Sequence, residues 1–168
     1  MTARAPTAAD RPGWGVYIAI VVVTFLTAAI GAFASLDAKE FYGSLNQPAW
    51  APPPTVFGPV WSVLFTMMAV AACLVVKHAG LQASMPALRL YGLQLVLNAI
   101  WTWLFFHWHT GALALAEVLL LLAAVIATAR AFWAWRPLAG ALLLPYAAWV
   151  AFASALTLAM WRLNRAVL

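Results

Sequence analysis

The sequence predicts an all-α membrane protein: five transmembrane helices in a bundle, with a long lid loop between helices 1 and 2. Three observations carry this expectation. Of 168 residues, 67% are hydrophobic and only 8% charged, and the mean hydropathy is +0.95, whereas a soluble surface needs about a quarter charged residues. Apolar runs recur near 16–34, 58–77, 88–107, 111–132 and 138–161, each close to the ~20 residues that cross a ~30 Å hydrocarbon core at ~1.5 Å per residue. All but one of the connections between them are short, which makes consecutive helices antiparallel neighbours.

Taken in order, residues 1–14 hold Arg4, Asp10, Arg11 and two prolines and read as a short disordered arm, leaving 15–165 as a single transmembrane domain. Trp14 and Tyr17 suit a headgroup belt. The first run ends A-F-A-S at Ala32 to Ser35, which imitates a signal-peptidase site, but it exceeds the ~7–15 residues of a signal core and reads as a retained span. In the connection 36–57, Pro48, Pro52, Pro53 and Pro54 fix φ and remove donors, so residues 46–54 form a stiff extended segment. Asp37, Lys39 and Glu40 support a short helical turn before Gly43. Phe41, Tyr42, Leu45 and Trp50 are wasted on a free linker, so this loop is expected to fold over the bundle mouth. Pro59 opens the second span. Later junctions are expected over 77–89, with Gly80 and Pro86, over 107–111 and over 130–137, and Pro145 is expected to bend the last helix.

With five crossings, Arg4, Arg11, Lys77, Arg89, Arg130 and Arg136 share one side against Lys39, Arg162 and Arg165 on the other. In a bacterial inner membrane this asymmetry places the amino terminus inside and the lid outside. Inner versus outer membrane stays open.

Composition also narrows function. The nine Lys and Arg residues are scattered at span edges rather than gathered in a stripe, which argues against a nucleic-acid partner. Cys73 is the sole cysteine, and His107 and His109 offer a metal only two neighbours, so no metal site is expected. No nucleophile with its base, no carboxylate pair and no phosphate loop is visible, so no catalytic residue is assigned. Glu117 is the one acid well inside a span, either a functional carboxylate or one that reaches water or a turn histidine.

Helical spacing instead points to a cavity. Gln94, Asn98, Trp101 and Phe105 fall at i, i+4, i+7 and i+11, an inward stripe because amides are costly against lipid. Trp61, Phe65 and Met68 share a face, as do Tyr146, Trp149, Ala153 and Thr157. Under the lid aromatics Tyr42 and Trp50 these faces enclose a flat apolar space with a few polar hooks, although Gln94 and Asn98 equally suit bridges between helices. Trp108, Trp133, Trp135 and Trp161 read as interfacial anchors. Ala28 with Ala32, and Ala147 with Ala151 and Ala155, permit close helix approach within the bundle or between protomers.

The order LNQPAWAPP, FGPVWSVLF, QLVLNAIWTWLFF, LLLPYAAW and MWRLN, over roughly residues 15–165, resembles the translocator protein family (TspO/MBR), also called tryptophan-rich sensory or peripheral benzodiazepine receptor-like proteins. The resemblance implies a five-helix membrane bundle, commonly a homodimer, that binds porphyrins such as protoporphyrin IX, and in animals cholesterol and synthetic ligands. It carries the family's pocket onto Tyr42, Trp50, Trp61, Asn98, Trp101, Tyr146 and Trp149. The chain departs from the pattern at Phe65, where many relatives have tyrosine, at Leu113, where the animal proteins have tryptophan, and at Leu158, which breaks the proposed cholesterol consensus. The expected function is porphyrin binding as a sensor, regulator or carrier, with membrane lipids as surroundings and no required cofactor. The alternatives are light-dependent porphyrin degradation and a lipid-binding or assembly role.

Overall fold

Prolines and glycines punctuate a chain whose remaining residues favour helix, and the computed structural model follows them closely. It describes residues 12–168, which hold helices and connecting turns but no strand. Residues 1–11 of the expected arm lie outside the described residues. Helix α1 spans Trp14–Ala34, α2 Ala38–Ser44, α3 Phe57–Ala79, α4 Leu81–Thr102, α5 Gly111–Trp135, α6 Pro137–Ala141 and α7 Leu144–Leu163. Four segments, Trp14–Ala34, Pro54–Ala79, Gly111–Trp135 and Pro137–Leu163, are long and apolar enough to cross a membrane. α4 is as long, at 22 residues, but Arg89, Gln94 and Asn98 make it more polar.

Several boundaries differ from expectation, each for a local reason. The junction expected over 77–89 contracts to Gly80, whose φ of 77° suits glycine and turns the chain within one residue. Its N–H caps α3 on the Val76 carbonyl at 2.9 Å, and its own carbonyl receives Ser84 Oγ at 2.7 Å, starting α4 at once. Pro86 therefore lies inside α4 rather than in a loop. An interior proline costs about 3 kcal/mol, a penalty offset here by the buried face of Ala87, Tyr91 and Leu95. The junction expected over 130–137 likewise contracts to Arg136, because α5 continues through Trp135. Pro145 does not bend a continuous helix either. The chain turns at Leu142 and Leu143, and Pro145 sits in the first turn of α7, where its missing donor is not needed.

At its far end α4 widens into one π-helical turn, Trp103–His107, closed by Trp108 N–H on the Trp103 carbonyl at 2.9 Å. The wider turn brings both Phe105 and Phe106 against Trp101, with ring centroids 6.0 and 5.9 Å away. The chain leaves through His109, whose φ of 53° is uncommon for a residue with a side chain. Its ring stacks on Phe41 of α2 at 3.9 Å.

α5 packs between α4 and α7, α1 rests on α3 and α4, and α6 meets α3 and α5. Glycine permits a close approach: a Cβ on Gly140 would lie 2.7 Å from Trp133 Cβ and 2.8 Å from Trp133 Cα. α1 is held much more loosely, with only Thr24 and Ala34 buried. The Thr24 hydroxyl donates to the Ile20 carbonyl at 2.7 Å, so the Tyr91 hydroxyl must donate to Thr24 Oγ1 across 2.6 Å. Thr24→Val removes that acceptor and is expected to cost about 1 kcal/mol, read as a lower midpoint of thermal unfolding in detergent. An unchanged midpoint would show that the bond does not dock α1.

Between α2 and α3 the segment expected to be extended over 46–54 is broken by a turn at Ala49 and Trp50, closed by Ala51 N–H on the Pro48 carbonyl at 2.9 Å. The chain is extended again at Pro53, with φ −63° and ψ 147°, before a single 3-10 turn at Pro54–Val56. Side chains tie this stretch down. Tyr42 Oη donates to the Pro52 carbonyl at 3.1 Å, and Gln47 Nε2 donates to the Tyr42 carbonyl at 2.6 Å. Asn164, at the end of α7, grips Asn46 from both sides: it accepts the Asn46 N–H at 2.8 Å and donates to the Asn46 carbonyl at 2.9 Å. Burial pushes the Tyr42 phenol up from its ordinary value, so its hydroxyl stays protonated and remains a donor.

Candidate functional site

A cavity of about 600 Å³ lies between α1, α3 and α4, with α2 and the start of α3 at its rim. That volume falls in the ~300–1,000 Å³ range of small-molecule sites. One wall is nearly featureless: Phe25, Ala28, Ala29, Gly31 and Ala32 of α1. The small side chains of Ala28, Ala29, Gly31 and Ala32 leave space where larger ones would have packed against α4. Even Gly31 stands off, since a Cβ there would be 3.5 Å from Thr102 Oγ1, ordinary contact. Across from α1 the wall is aromatic, formed by Tyr42, Phe57, Trp61, Phe65, Trp101 and Phe106. Trp61 is its central ring, tilted against Trp101 at 6.4 Å and Phe65 at 5.8 Å and edge-on to Tyr146 at 6.1 Å.

Behind this partition lies a second, far smaller gap of about 10 Å³, bounded by Trp149, Phe152, Ala153, Leu156 and Thr157 together with Tyr42, Phe57, Trp61, Trp101, Phe105 and Phe106. Rings shared by the two spaces separate them. Of the nine residues expected in the site, Tyr42, Trp61, Phe65, Asn98 and Trp101 therefore line the cavity. Trp149 lines the gap behind it, edge-on to Phe57 at 6.0 Å. Tyr146 is fully buried and lines neither space; it accepts a hydrogen bond from Asn98 Nδ2 at 3.1 Å. Gln94 lies deeper, with Nε2 on Met68 Sδ at 3.6 Å and Oε1 unpartnered. Trp50 is 50% exposed and leans edge-on against Phe152 at 5.8 Å.

Both readings of the α4 amides thus hold in part: Gln94 and Asn98 each bridge to another helix, and Asn98 also faces the cavity. Trp101 Nε1 is buried in the cavity wall without a hydrogen-bond partner among the described residues. Glu117 is only 7% exposed, and neither of its oxygens has a partner among the described residues. It does not reach a turn histidine.

The sequence of this chain matches the TspO/MBR family over residues 17–162. It is 35% identical over 156 residues to the human translocator protein, covering 91% of this chain and 92% of that one. It is 36% identical over 151 residues to the tryptophan-rich sensory protein of Cereibacter sphaeroides, covering 90% and 92%. The CrtK protein of Rhodobacter capsulatus is 35% identical over 140 residues, covering 81% and 84%. The chain belongs to the TspO/MBR family. Together with its apolar helices, membership makes it an integral, multi-pass membrane protein.

What sequence reasoning missed in this TspO/MBR chain is the α1 wall. Ala28 and Ala32 were read only as permitting close helix approach within the bundle or between protomers, and both also line the cavity. A signal exists, because Ala28, Gly31, Ala32 and Ser35 recur at i, i+3, i+4 and i+7 on one face. Small residues at that spacing permit either close packing or a hollow, and only the neighbouring helix decides which. Lys39 at the rim was also missed as a lining residue.

Proposed function

We propose that this TspO/MBR protein binds a porphyrin, protoporphyrin IX or a related tetrapyrrole, in the cavity between α1, α3 and α4, and acts as a sensor, regulator or carrier. The observation that carries the reading is the pairing of about 600 Å³ of space with a wall of Trp61, Trp101 and Phe106. A flat aromatic plate stacks on such rings, each stacked pair contributing about 0.5–1.5 kcal/mol beyond area burial, while small α1 side chains leave room for its thickness. In this reading α4 is the fifth crossing, the 36–57 connection is the lid, and Asn164 latches it. The charge asymmetry puts the amino terminus inside. Ala151 and Ala155 face outward from α7, which favours close approach between protomers over packing within the bundle and supports a homodimer. The names of the relatives, translocator and sensory protein, agree with carriage or sensing.

Purified protein titrated with protoporphyrin IX in darkness and in light tests this. Saturable binding with an unchanged porphyrin spectrum under illumination is the expected result. Bleaching of bound porphyrin would replace the reading with a degrading enzyme, and absence of binding would replace it with a lipid-binding or assembly role.

A further inference from the structure

Most polar groups lining the cavity are already committed to the protein itself. Ser35 Oγ donates to the Gly31 carbonyl at 2.8 Å, Ser62 Oγ to the Gly58 carbonyl at 2.9 Å, Thr102 Oγ1 to the Asn98 carbonyl at 3.0 Å and Tyr42 Oη to the Pro52 carbonyl at 3.1 Å. A hydroxyl has one proton, so none of these four can donate to a ligand without giving up its present bond. Deeper in the wall, Asn98 keeps one amide proton beyond the one given to Tyr146, and Trp101 Nε1 is unpartnered. Both are neutral donors, suited to neutral acceptors. Lys39 is the one charged residue among those lining the cavity; it is exposed and sits on α2 at the rim, just beyond the end of α1. Its ammonium offers three donors and a full charge.

Among the described residues the cavity therefore has a polarity: an apolar, aromatic interior and a single cation at one corner of its mouth. We propose that Lys39 receives the carboxylate of the bound ligand, so that an amphiphile with an acidic edge enters plate first and keeps that edge at the α1–α2 corner. This assignment rests on the porphyrin reading above and deepens it. It makes Lys39 a specificity-determining residue, one that favours acidic tetrapyrroles over their neutral esters without forming the stacking wall.

The test compares protoporphyrin IX with its dimethyl ester, in an uncharged detergent, on the wild type, Lys39→Gln and Lys39→Arg. An exposed ion pair changes affinity by up to about fivefold, so the wild type is expected to bind the acid about two- to fivefold tighter than the ester. Lys39→Gln should bring the acid to the level of the ester and leave the ester unchanged, while Lys39→Arg keeps the preference. Raising the salt should shrink the preference in the wild type alone. An acid preference that survives Lys39→Gln overturns the assignment, and so does equal weakening of acid and ester. Binding of the ester by the wild type checks the porphyrin reading separately: if neither porphyrin binds, that reading falls and takes the carboxylate assignment with it. Anionic lipid as the true occupant would show as displacement of the neutral ester by phosphatidylglycerol in the wild type but not in Lys39→Gln, and would also overturn the assignment.

Discussion

Asn98→Leu is expected to destabilise the protein by about 1–3 kcal/mol, the penalty for leaving a buried hydrogen-bonding group unpaired. The group left behind is the Tyr146 hydroxyl, on a residue with no exposed surface, whose partner is Asn98 Nδ2 at 3.1 Å. Leucine has the same branched outline as asparagine and is the larger of the two, and the cavity beside position 98 can take up the difference, so the loss reports on the hydrogen bond rather than on a hole. Tyr146→Phe removes the partner instead, and should cost less because Asn98 borders the cavity and can turn to other acceptors there. The double variant leaves neither group stranded and should recover much of the loss seen in Asn98→Leu, a non-additivity typical of directly bonded pairs. Thermal unfolding of the four proteins in one detergent gives the comparison. Strictly additive losses would mean that the two side chains do not depend on each other, and that α4 and α7 are held together by packing alone.

The bond matters for the site because it fixes the aromatic partition from behind. Tyr146 is edge-on to Trp61 at 6.1 Å, so the α4–α7 tie supports the ring that a ligand would meet. Trp61, Trp101 and Phe106 then form a wall whose rings touch one another as well as the cavity. A preformed wall of this kind lowers the ordering cost of binding.

Much of this arrangement was legible in the sequence, and the failures share a cause. Periodicity correctly grouped Trp61 with Phe65, and Asn98 with Trp101, because spacing along one helix determines which side chains share its face. It also grouped Tyr146 with Trp149, but spacing says nothing about how far a helix is rotated about its own axis within the bundle. That rotation puts Trp149 behind Phe57 rather than in the cavity. The start of α4 was hidden because Gly80 and Pro86 together look like a loop, whereas one positive φ at Gly80 makes the whole turn and packing carries Pro86 inside the helix. The π-helical turn left no trace, since ordinary helical spacing sets Phe105 but not Phe106 on the face of Trp101. Short-range chemistry was read in part: the helical turn around Lys39 and Glu40 lies where local propensity puts it, whereas the segment 46–54 is extended only in pieces, because Pro48 opens a turn closed by Ala51 N–H and Pro54 opens a 3-10 turn.

The location of the site is the central claim, and filling the cavity tests it most directly. Ala28 and Ala32 line the α1 wall of the cavity, so phenylalanine at either position has existing space to project into, and folding should be little affected. Two added rings remove much of the volume and the stacking surface, so Ala28→Phe/Ala32→Phe is expected to weaken protoporphyrin IX binding at least tenfold, about 1.4 kcal/mol. Trp149→Phe, on the far side of the partition, should change affinity far less. The measurement is the dissociation constant for protoporphyrin IX, from quenching of tryptophan fluorescence, on wild type and both variants after each is shown to be folded by its helical signal. A tenfold or greater loss in the α1 variant with little change in Trp149→Phe is the predicted result. Unchanged affinity in the filled variant, with the loss falling on Trp149→Phe instead, would contradict it and move the porphyrin to the α7 side of Trp61.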